Sequence, residues 1–181
     1  MIGGSGADAL NGFTGVSIAS YSTSATTVNI NLATNINSGG DATGDLIYGI
    51  NNVIGSASPD VIVGNSSANI LTGGSGADTL TGSSGADIFK YLSSADSGTA
   101  SGLRDIITDF VKGSDKIDVV NFVSVFNFIS TNAFTGTAQE INYVQVAGNT
   151  IVGLDADGNG TLDMQIELTG LHNLTASDFL L

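Results

Sequence analysis

The stretch "GGSGADTLTGSSGADIFKY", Gly73 to Tyr91, states nearly the same nine residues twice. Each half opens with a glycine-rich run, continues with one aspartate (Asp78, then Asp87) and places an apolar residue two positions later. Glycine permits backbone angles that a Cβ would block, so the first six residues of each half have the chemistry of a turn. The last three residues suit a short strand whose middle side chain points inward. The interval therefore predicts a repeating unit of one turn and one strand.

The nine-residue frame continues beyond this stretch, over four consecutive units. The units begin at Gly55, Gly64, Gly73 and Gly82, with Asp60, Asn69, Asp78 and Asp87 at position six and Ile62, Leu71, Leu80 and Phe89 at position eight. A unit this short cannot bury its own apolar side chain, so the period predicts a solenoid of stacked coils. Two units make one coil, and equivalent positions on one side of the solenoid are therefore expected eighteen residues apart.

Two columns of polar side chains follow the eighteen-residue interval. They are Asp60, Asp78 and Asp96 in one column, and Asn51, Asn69, Asp87 and Asp105 in the other. Neighbouring strands lie ~4.8 Å apart, so stacked carboxylates repel by roughly 1 kcal/mol per pair in water and by more near a protein surface. Ca²⁺, which takes carboxylate and carbonyl oxygens as ligands, removes this repulsion. The alternative is a metal-free solenoid whose Asp and Asn side chains cap the turns, and an amide at Asn69 suits that alternative.

The composition excludes several classes of function. With 4 Lys and Arg against 17 Asp and Glu, the net charge is −13, which argues against nucleic acid and anionic membranes as partners and favours cations. There is no cysteine, so disulfides, thiolate metal sites and a cysteine nucleophile are excluded, although a secreted protein stabilised by metal fits as well. The sequence contains neither a recognisable cleavable signal peptide nor an apolar run long enough for membrane insertion.

The repeat resembles a known family. "GGSGADTLT" fits the nonapeptide G-G-x-G-x-D-x-U-x of RTX proteins, which form calcium-binding parallel β-rolls. The segment from Gly85 to Phe122 resembles the one that follows the roll in serralysin-type metalloproteases and in the calcium-binding modules of alginate epimerases, and Ile151 to Leu181 is similar to the end of that domain. The resemblance implies an all-β fold: a parallel β-roll over residues 1–105, with an inserted strand and loop near 21–50, and a β-sandwich-like C-terminal cap over 106–181.

The resemblance also implies calcium ligands, namely the position-six side chain and the carbonyls two and four residues before it. The matching sets are Asp78 with Gly76 and Gly74, Asp87 with Gly85 and Ser83, Asp60 with Ser58 and Ser56, Asn69 with Ser67 and Asn65, and Asp8 with Gly6 and Gly4; Asp96 and Asp105 match carboxylates that close the final sites. Several Ca²⁺ ions are therefore expected. The units at Gly55 and Gly64 lack paired glycines and Asn69 has no charge, so calcium there is expected to be weaker or absent.

The N-terminal part interrupts the frame. The unit that starts at Gly12 has Ser17 in place of the aspartate, and eighteen residues after Asp8 lies Thr26, so Asp8 is expected to have lost its partner coil. The chain starts inside a repeat, which suggests a piece of a longer RTX protein.

The C-terminal "DADGNGTLD", Asp155 to Asp163, opens like an EF-hand loop but has Ile166 where the bidentate Glu belongs. Its flanks alternate like strands, which favours a polar hairpin turn, with a weak calcium site as the alternative.

Motifs for catalysis are missing from the sequence. There is no H-E-x-x-H or G-x-S-x-G, and His172 is the only histidine, so no enzyme activity is expected of this chain. The predicted function is that of a calcium-binding module of a secreted bacterial protein, which folds on Ca²⁺ outside the cell. The tail "LTASDFLL" resembles the C-terminal type I secretion signal of the serralysin family, and Thr175 to Asp178 fit a capping box. The alternative is an adhesin or polysaccharide-binding tail of a larger extracellular protein or enzyme, with Thr and Ser ladders but without an aromatic strip.

Overall fold

The computed structural model describes residues 1–12, 17–120, 122 and 125–181. Within these ranges the chain forms sixteen β-strands, two 3₁₀ helices (Gly40–Ala42 and Ala176–Asp178) and no α-helix, and none of its helices is long and apolar enough to cross a bilayer. The strands are β1 Ala9–Asn11, β2 Ile18–Ser20, β3 Asn29–Asn31, β4 Leu46–Tyr48, β5 Asn52–Ile54, β6 Val61–Val63, β7 Ile70–Thr72, β8 Thr79–Thr81, β9 Ile88–Lys90, β10 Asp105–Ile107, β11 Lys116–Asp118, β12 Asn127–Phe128, β13 Glu140–Val146, β14 Asn149–Asp155, β15 Met164–Leu168 and β16 Phe179–Leu180.

Two sheets form the two faces of a solenoid. The six-stranded sheet has the order β2-β5-β7-β9-β11-β16, and the eight-stranded sheet has the order β3-β6-β8-β10-β15-β14-β13-β12. Successive strands of the roll alternate between the two sheets. Within each sheet, neighbouring strands pair in parallel, as Val61 of β6 does with Thr79 of β8 and Ile70 of β7 does with Ile88 of β9. These partners are eighteen residues apart, so the predicted parallel β-roll with two nine-residue units per coil is confirmed.

The position-eight side chains fill the interior of the roll. Ile62, Leu71, Leu80 and Phe89 are all 0% exposed, and each is the middle residue of a three-residue strand. Full burial of such a side chain contributes about 1.5–3 kcal/mol, and because each unit supplies only one, stability depends on stacking.

The roll continues beyond the regular repeats and merges into the cap. The coil lengthens there, since Thr79 pairs with Ile106 and Ile88 with Lys116. β13, β14 and β15 then form an antiparallel meander that joins the eight-stranded sheet through the parallel pair β10–β15. The predicted all-β class, with a roll followed by a cap, is confirmed. The division into residues 1–105 and 106–181 stays a prediction, because the parallel pairing runs across it.

The segment near 21–50 inserts an extra loop into the stack. β3 pairs with β6, whereas β4 pairs with β1 in a separate two-stranded sheet. Between β3 and β4, asparagine side chains replace backbone pairing: Asn37 Oδ1 accepts from the Asn31 N–H at 2.9 Å, and Asn35 Oδ1 accepts from the Ile47 N–H at 2.7 Å. Residues 13–16 of the predicted unit at Gly12 lie outside the described residues.

Candidate metal centre

The two edges of the roll hold the predicted ligands. We call "first edge" the turns that lead from the six-stranded to the eight-stranded sheet, and "second edge" the turns that lead back. The first edge carries Asp60, Asp78 and Asp105, and the second edge carries Asn51, Asn69, Asp87 and Asp115.

A ladder of side-chain hydrogen bonds joins the coils along the first edge. The Asp60 N–H donates to Asp78 Oδ1 at 2.7 Å, and the Asp78 N–H donates to Asp105 Oδ1 at 2.9 Å. At one end of the ladder the Val28 N–H donates to Asp60 Oδ1 at 2.7 Å, and at the other the Ser97 hydroxyl accepts from the Asp105 N–H at 2.7 Å. Each carboxylate therefore uses one oxygen to bind the backbone of the preceding coil.

The ladder corrects the predicted columns. The residue after Asp78 in the ladder is Asp105, 27 residues further along the chain, and not Asp96 as the interval predicted. Asp96 instead closes its own turn, where it accepts a hydrogen bond from the Leu92 N–H at 2.6 Å. On the second edge Asp115, 28 residues on, follows Asp87 and accepts its N–H at 3.0 Å. Extending the eighteen-residue interval to Asp96 and Asp105 was wrong because residues 92–104 form a longer turn than a repeat unit does.

The first edge leaves carboxylate oxygens without partners. Asp78 Oδ2 and Asp105 Oδ2 are buried and have no well-formed hydrogen bond from any described residue, although the buried Tyr91 hydroxyl lies close enough to Asp105 to oppose the rise of the pKa of that carboxyl. Burial, with the Asp105 charge beside it, raises the pKa of Asp78 to about 8, and burial raises the pKa of Asp105 to about 7. Burial also raises the pKa of Asp60. Two ionised carboxylates with orphaned oxygens in one buried edge are costly without a cation.

The glycine turn before Asp78 brings backbone oxygens to the same edge. Gly74 and Gly76 have φ of 101° and 140°, which side-chain-bearing residues rarely adopt. A Cβ on Gly74 would lie 2.0 Å from the Ser56 carbonyl oxygen, and one on Gly76 would lie 2.9 Å from the Ser58 carbonyl carbon. The turns at Ser56 and Gly74 are thus stacked in contact, and the residues predicted to supply carbonyl donors lie along one edge in both coils.

The second edge has the same ladder but fewer free oxygens. The Asn69 N–H donates to Asp87 Oδ1 at 2.8 Å, while its own amide donates to the Asn51 carbonyl at 2.7 Å and accepts from the Asn65 N–H at 2.9 Å. The amide of Asn69 is thus satisfied within the protein. Burial, aided by the charges of Asp115 and Asp109, raises the pKa of Asp87 to about 6. The predicted donors Ser67 and Gly85 stack, since a Cβ on Gly85 would lie 2.7 Å from the Ser67 carbonyl oxygen.

Sequence reasoning missed two acids of the second edge. Asp109 accepts from the N–H groups of Gly82 and Ser83 at 2.9 and 2.8 Å, and Asp115 accepts from Asp87 as above. A signal was present, because Asp115 lies two residues before the buried Ile117, as each position-six acid lies two residues before a buried apolar residue. Only the fixed eighteen-residue spacing concealed it.

The N-terminal aspartate has a partner after all. The Asp8 N–H donates to Asp45 Oδ1 at 2.8 Å. Asp45 is therefore the next acid after Asp8 at this edge, a position for which the eighteen-residue interval predicted Thr26. The expectation that Asp8 had lost its partner coil is therefore wrong. The inserted segment returns to the edge of the roll and supplies the missing acid.

The Asp155–Asp163 loop connects the antiparallel strands β14 and β15, as the hairpin interpretation predicts. Within the described part of the chain, Asp155, Asp157 and Asp163 are the one group of three acids whose ligand atoms all lie within 4.8 Å of one another. Asp155 Oδ1 and Oδ2 already accept from the N–H groups of Gly158 and Gly160, at 2.8 and 2.7 Å. These bonds give the acids a role in the turn, and a calcium site here stays a prediction.

The donor set of the first edge fits a hard cation. It consists of carboxylate and carbonyl oxygens, which Ca²⁺ prefers, and a cation would partner the unpaired Oδ2 atoms of Asp78 and Asp105, which are otherwise neutralised by the protons that their raised pKa values favour. The molecule is thus a parallel β-roll with oxygen-lined edges suited to cations.

Comparison with known proteins places this roll in a family. Residues 45–181 match the family described as peptidase M10 serralysin C terminal, and the chain belongs to that family. The metallopeptidase AprA of Pseudomonas marginalis is 32% identical over 82 residues, which are 44% of this chain and 17% of that protein. This chain therefore matches less than a fifth of the length of that relative.

Two solved structures share the fold. The AlgE6R2 subunit of the mannuronan C5-epimerase from Azotobacter vinelandii superposes with a TM-score of 0.52 at 22% identity and covers 92% of each chain. The AlgE6R3 subunit of the same epimerase gives 0.51 at 22% identity over 98% of this chain and 82% of that one. At this level of identity the similarity concerns the fold alone.

Proposed function

We propose that this protein is a calcium-binding module that folds on Ca²⁺ outside the cell. The observation that carries the proposal is the pair of buried oxygens, Asp78 Oδ2 and Asp105 Oδ2, which have no well-formed hydrogen bond from any described residue. Asp78, Asp105 and the stacked turn carbonyls would hold the ion, which supplies the positive charge that the edge lacks. Membership of the serralysin C-terminal family supports the same reading.

Calcium binding and folding are coupled in this proposal. The net charge of −13 and the stacked acids destabilise the compact chain by self-repulsion, and the unfolded chain has no preformed site. An ion that binds only the folded state therefore adds its binding free energy to stability. A cytosol with little free calcium keeps the chain unfolded, and the calcium-rich exterior folds it.

Far-UV circular dichroism tests the coupling. We expect the full chain to lack its β spectrum in chelator and to gain it cooperatively in millimolar CaCl₂. Matched titrations with MgCl₂ serve as the control, because Mg²⁺ demands tight octahedral geometry and should be far less effective. An unchanged β spectrum in chelator would contradict the proposal.

We further propose that the C-terminal tail is a type I secretion signal. The tail packs in the folded protein: Phe179 pairs with Ile117, Asp178 accepts from the Gly113 N–H at 3.0 Å, and Thr175 and Asp178 form the predicted capping box. A buried tail is compatible with export if the exporter reads it before folding. The family membership supports this assignment, which rests on the resemblance of "DFLL" to serralysin tails.

Export from a host with a type I exporter tests the signal. Deletion of residues 178–181 should leave the protein inside the cell. Since the deletion also removes a strand, Ile117→Ala is the matched control: it weakens the contact of β11 with β16 but leaves the tail sequence intact. Equal export of the deletion variant and the parent would reject the signal, and equal retention of both variants would assign the effect to folding.

We also propose that the module accompanies a catalytic or adhesive domain in a larger extracellular protein. The similarity to AprA supports this, because the matched stretch is only 17% of that metallopeptidase. Sequencing the complete gene decides it.

A further inference from the structure

We infer that Tyr91 is a positioning residue of the first edge, whose buried hydroxyl donates to Asp105 Oδ2 from inside the roll and holds that carboxylate in one orientation for the cation. This inference rests on the proposed function, because it concerns the same site. The repeat pattern does not indicate Tyr91, which is neither a position-six acid nor a predicted carbonyl donor. A carboxylate oxygen has more than one lone pair, so it can accept from the phenol and still face an ion.

The Tyr91 hydroxyl and the Asp105 carboxylate each lack the partner that the other offers. Tyr91 lies directly after β9 and is 1% exposed. Its hydroxyl and Asp105 Oδ2 are both buried, and neither has a well-formed hydrogen bond to any described residue. Burial raises the pKa of Asp105, and the Tyr91 hydroxyl lies close enough to oppose that rise. A phenol can donate and a carboxylate can only accept, so the two groups are complementary.

A second buried tyrosine already makes the same kind of bond. The Tyr21 hydroxyl donates to Asp45 Oδ2 at 2.9 Å, and Tyr21 is also 1% exposed. Asp45 Oδ1 accepts the Asp8 N–H at 2.8 Å. Asp105 Oδ1 accepts the Asp78 N–H in the same way, at 2.9 Å. In both places the ladder takes one carboxylate oxygen and leaves the other for a tyrosine.

Tyr21 and Tyr91 occupy the place that a glycine holds in a regular repeat. Both follow a strand of the six-stranded sheet and donate their N–H to the last residue of the neighbouring strand, as Gly55 does, at 2.8 to 2.9 Å. A Cβ on Gly55 would lie 2.4 Å from Asp60 Oδ2, because in a regular unit the acid folds back over the first residue. Where the turn is longer and the acid comes from further along the chain, a side chain fits here and its hydroxyl reaches the acid.

The hydroxyl of Tyr91 is suited to fixing a ligand. Burial, followed by the charges of Asp105 and Asp78, raises the pKa of Tyr91 well above its ordinary value, so the hydroxyl keeps its proton and remains a donor. A carboxylate with one oxygen fixed by a backbone N–H and the other by a hydroxyl has a single orientation. A ligand that is already ordered loses little conformational entropy on binding, so the cation is held more tightly.

Calcium-induced folding of the full chain, followed by circular dichroism, tests the inference. Tyr91→Phe removes the hydroxyl and keeps the ring. We expect it to raise the calcium midpoint of folding about two- to fivefold, because the loss of one hydrogen bond to a charged group is shared among the several ions that bind on folding. Tyr143→Phe makes the same change at a buried ring of the cap and is the control, with an unchanged midpoint.

A double-mutant cycle with Asp105→Asn shows whether Tyr91 acts through Asp105. The amide keeps one acceptor for the Asp78 N–H and offers no second acceptor to the hydroxyl. Tyr91→Phe should therefore change the midpoint of the Asp105→Asn protein much less than that of the parent. Tyr21→Phe, whose acceptor is Asp45, should give the same shift in both backgrounds. A Tyr91→Phe shift of equal size in both backgrounds would overturn the inference, because it would assign Tyr91 a packing role alone.

Tyrosine fluorescence provides a readout that a packing role would not move. The chain has four tyrosines and no tryptophan, so its emission comes from tyrosine. A phenol that donates to a carboxylate is quenched, so Tyr91→Phe should lower the emission of the calcium-loaded protein much less than Tyr48→Phe does at an exposed tyrosine. An equal or larger loss from Tyr91→Phe would contradict the hydrogen bond. This comparison uses only Tyr→Phe variants, so it decides the question even where the Asp105→Asn protein does not fold.

The outcomes separate this inference from the proposed function. Absence of calcium-induced folding in the parent would overturn both. Calcium-induced folding of the parent with an unchanged midpoint in Tyr91→Phe would overturn this inference and leave the proposed function intact. A raised midpoint that is largely lost in the Asp105→Asn background, together with a quenched Tyr91, supports it.

Discussion

The first and second edges of the roll are built on the same ladder but carry different side chains. On both edges a side-chain oxygen of one coil accepts the N–H of the preceding coil, at 2.7 Å for Asp78 and 2.8 Å for Asp87. On the first edge all three repeating residues are acids, and Asp78 and Asp105 keep an unpartnered oxygen within the described structure. On the second edge the amide of Asn69 satisfies its own bonds. The ladder therefore joins the coils, and the oxygens left over after the ladder are the proposed ligands for a cation.

Asp78→Asn should reduce the difference in buried charge between the first and second edges most strongly. In chelator we expect the variant to be more stable than the parent, on the order of 3 kcal/mol at pH 8, because a buried charge with a pKa raised to about 8 is removed. In calcium we expect the reverse order, with the folding midpoint raised about tenfold or more by the loss of a charged ligand. The concentration of trimethylamine N-oxide needed to fold each protein in chelator and the calcium midpoint of folding, both followed by circular dichroism, measure the two effects.

The matched variant on the second edge is Asp87→Asn. Burial raises the pKa of Asp87 only to about 6, so the removed charge is less costly there. We expect the same two signs with a smaller gain in chelator. Equal gains for the two variants would show that the edges do not differ in buried charge.

The pH dependence of the calcium-free protein should distinguish the edges next. The pKa values of Asp78 and Asp105 are raised in the folded state to about 8 and about 7, above the ordinary value of 3.8. Their contribution to stability is complete below about pH 4 and is lost as the pH rises to 8, because the folded state must release protons that the unfolded state has already lost. The concentration of trimethylamine N-oxide needed to fold the protein in chelator should therefore rise between pH 4 and pH 8, and Asp78→Asn should flatten the rise above pH 6. A fall over this range would contradict the assignment.

Asn69→Asp should make the second edge resemble the first. The change removes the amide donor to the Asn51 carbonyl and adds a charge next to Asp87 in the ladder. We expect a calcium-free protein less stable by about 1–3 kcal/mol and a lower calcium midpoint. Asn65→Asp, an exchange on the same turn, is the control. An unchanged calcium midpoint would mean that charge on this edge does not contribute to binding.

Ser83→Gly should give the smallest effect. Ser83 has a φ of 73°, at the position that Gly74 occupies on the first edge. A side chain in the left-handed region costs about 1–2 kcal/mol, so glycine should raise the stability of the calcium-loaded protein by about 1 kcal/mol. Ser58 has no positive φ, and Ser58→Gly should be neutral or destabilising. Thermal unfolding in calcium compares the two variants.

The regular part of the fold could be predicted from the sequence because one rule governs it. A glycine turn, an acid and an inward apolar residue recur every nine residues, so the strands, their eighteen-residue register and the buried Leu80 and Phe89 follow from the pattern. The positions of Asp78 and Asp87 at the edges follow from it too.

The rest could not be predicted because a solenoid tolerates turns of different length. The ladder requires only that the next acid arrive at the edge, and it accepts 18, 27, 28 or 37 residues between partners. A fixed interval therefore placed Asp96 and Asp105 in the wrong columns and missed Asp45 and Asp115. Searching for acids that directly precede short apolar strands, without a fixed spacing, would have found both.

The ladder also gives the roll a direction of growth. Each rung joins a backbone N–H of one coil to a side-chain oxygen of the next, and any residue except proline offers an N–H, as Val28 does. A coil can therefore be preceded by almost any sequence, but it must be followed by one that carries an acid or amide at the correct place. A duplicated repeat can therefore be added without a special residue in the first coil of the ladder, whereas the N–H of the last coil needs another group to accept its hydrogen bond. Here Ser97 fills that position, with a hydroxyl that receives the last N–H, from Asp105.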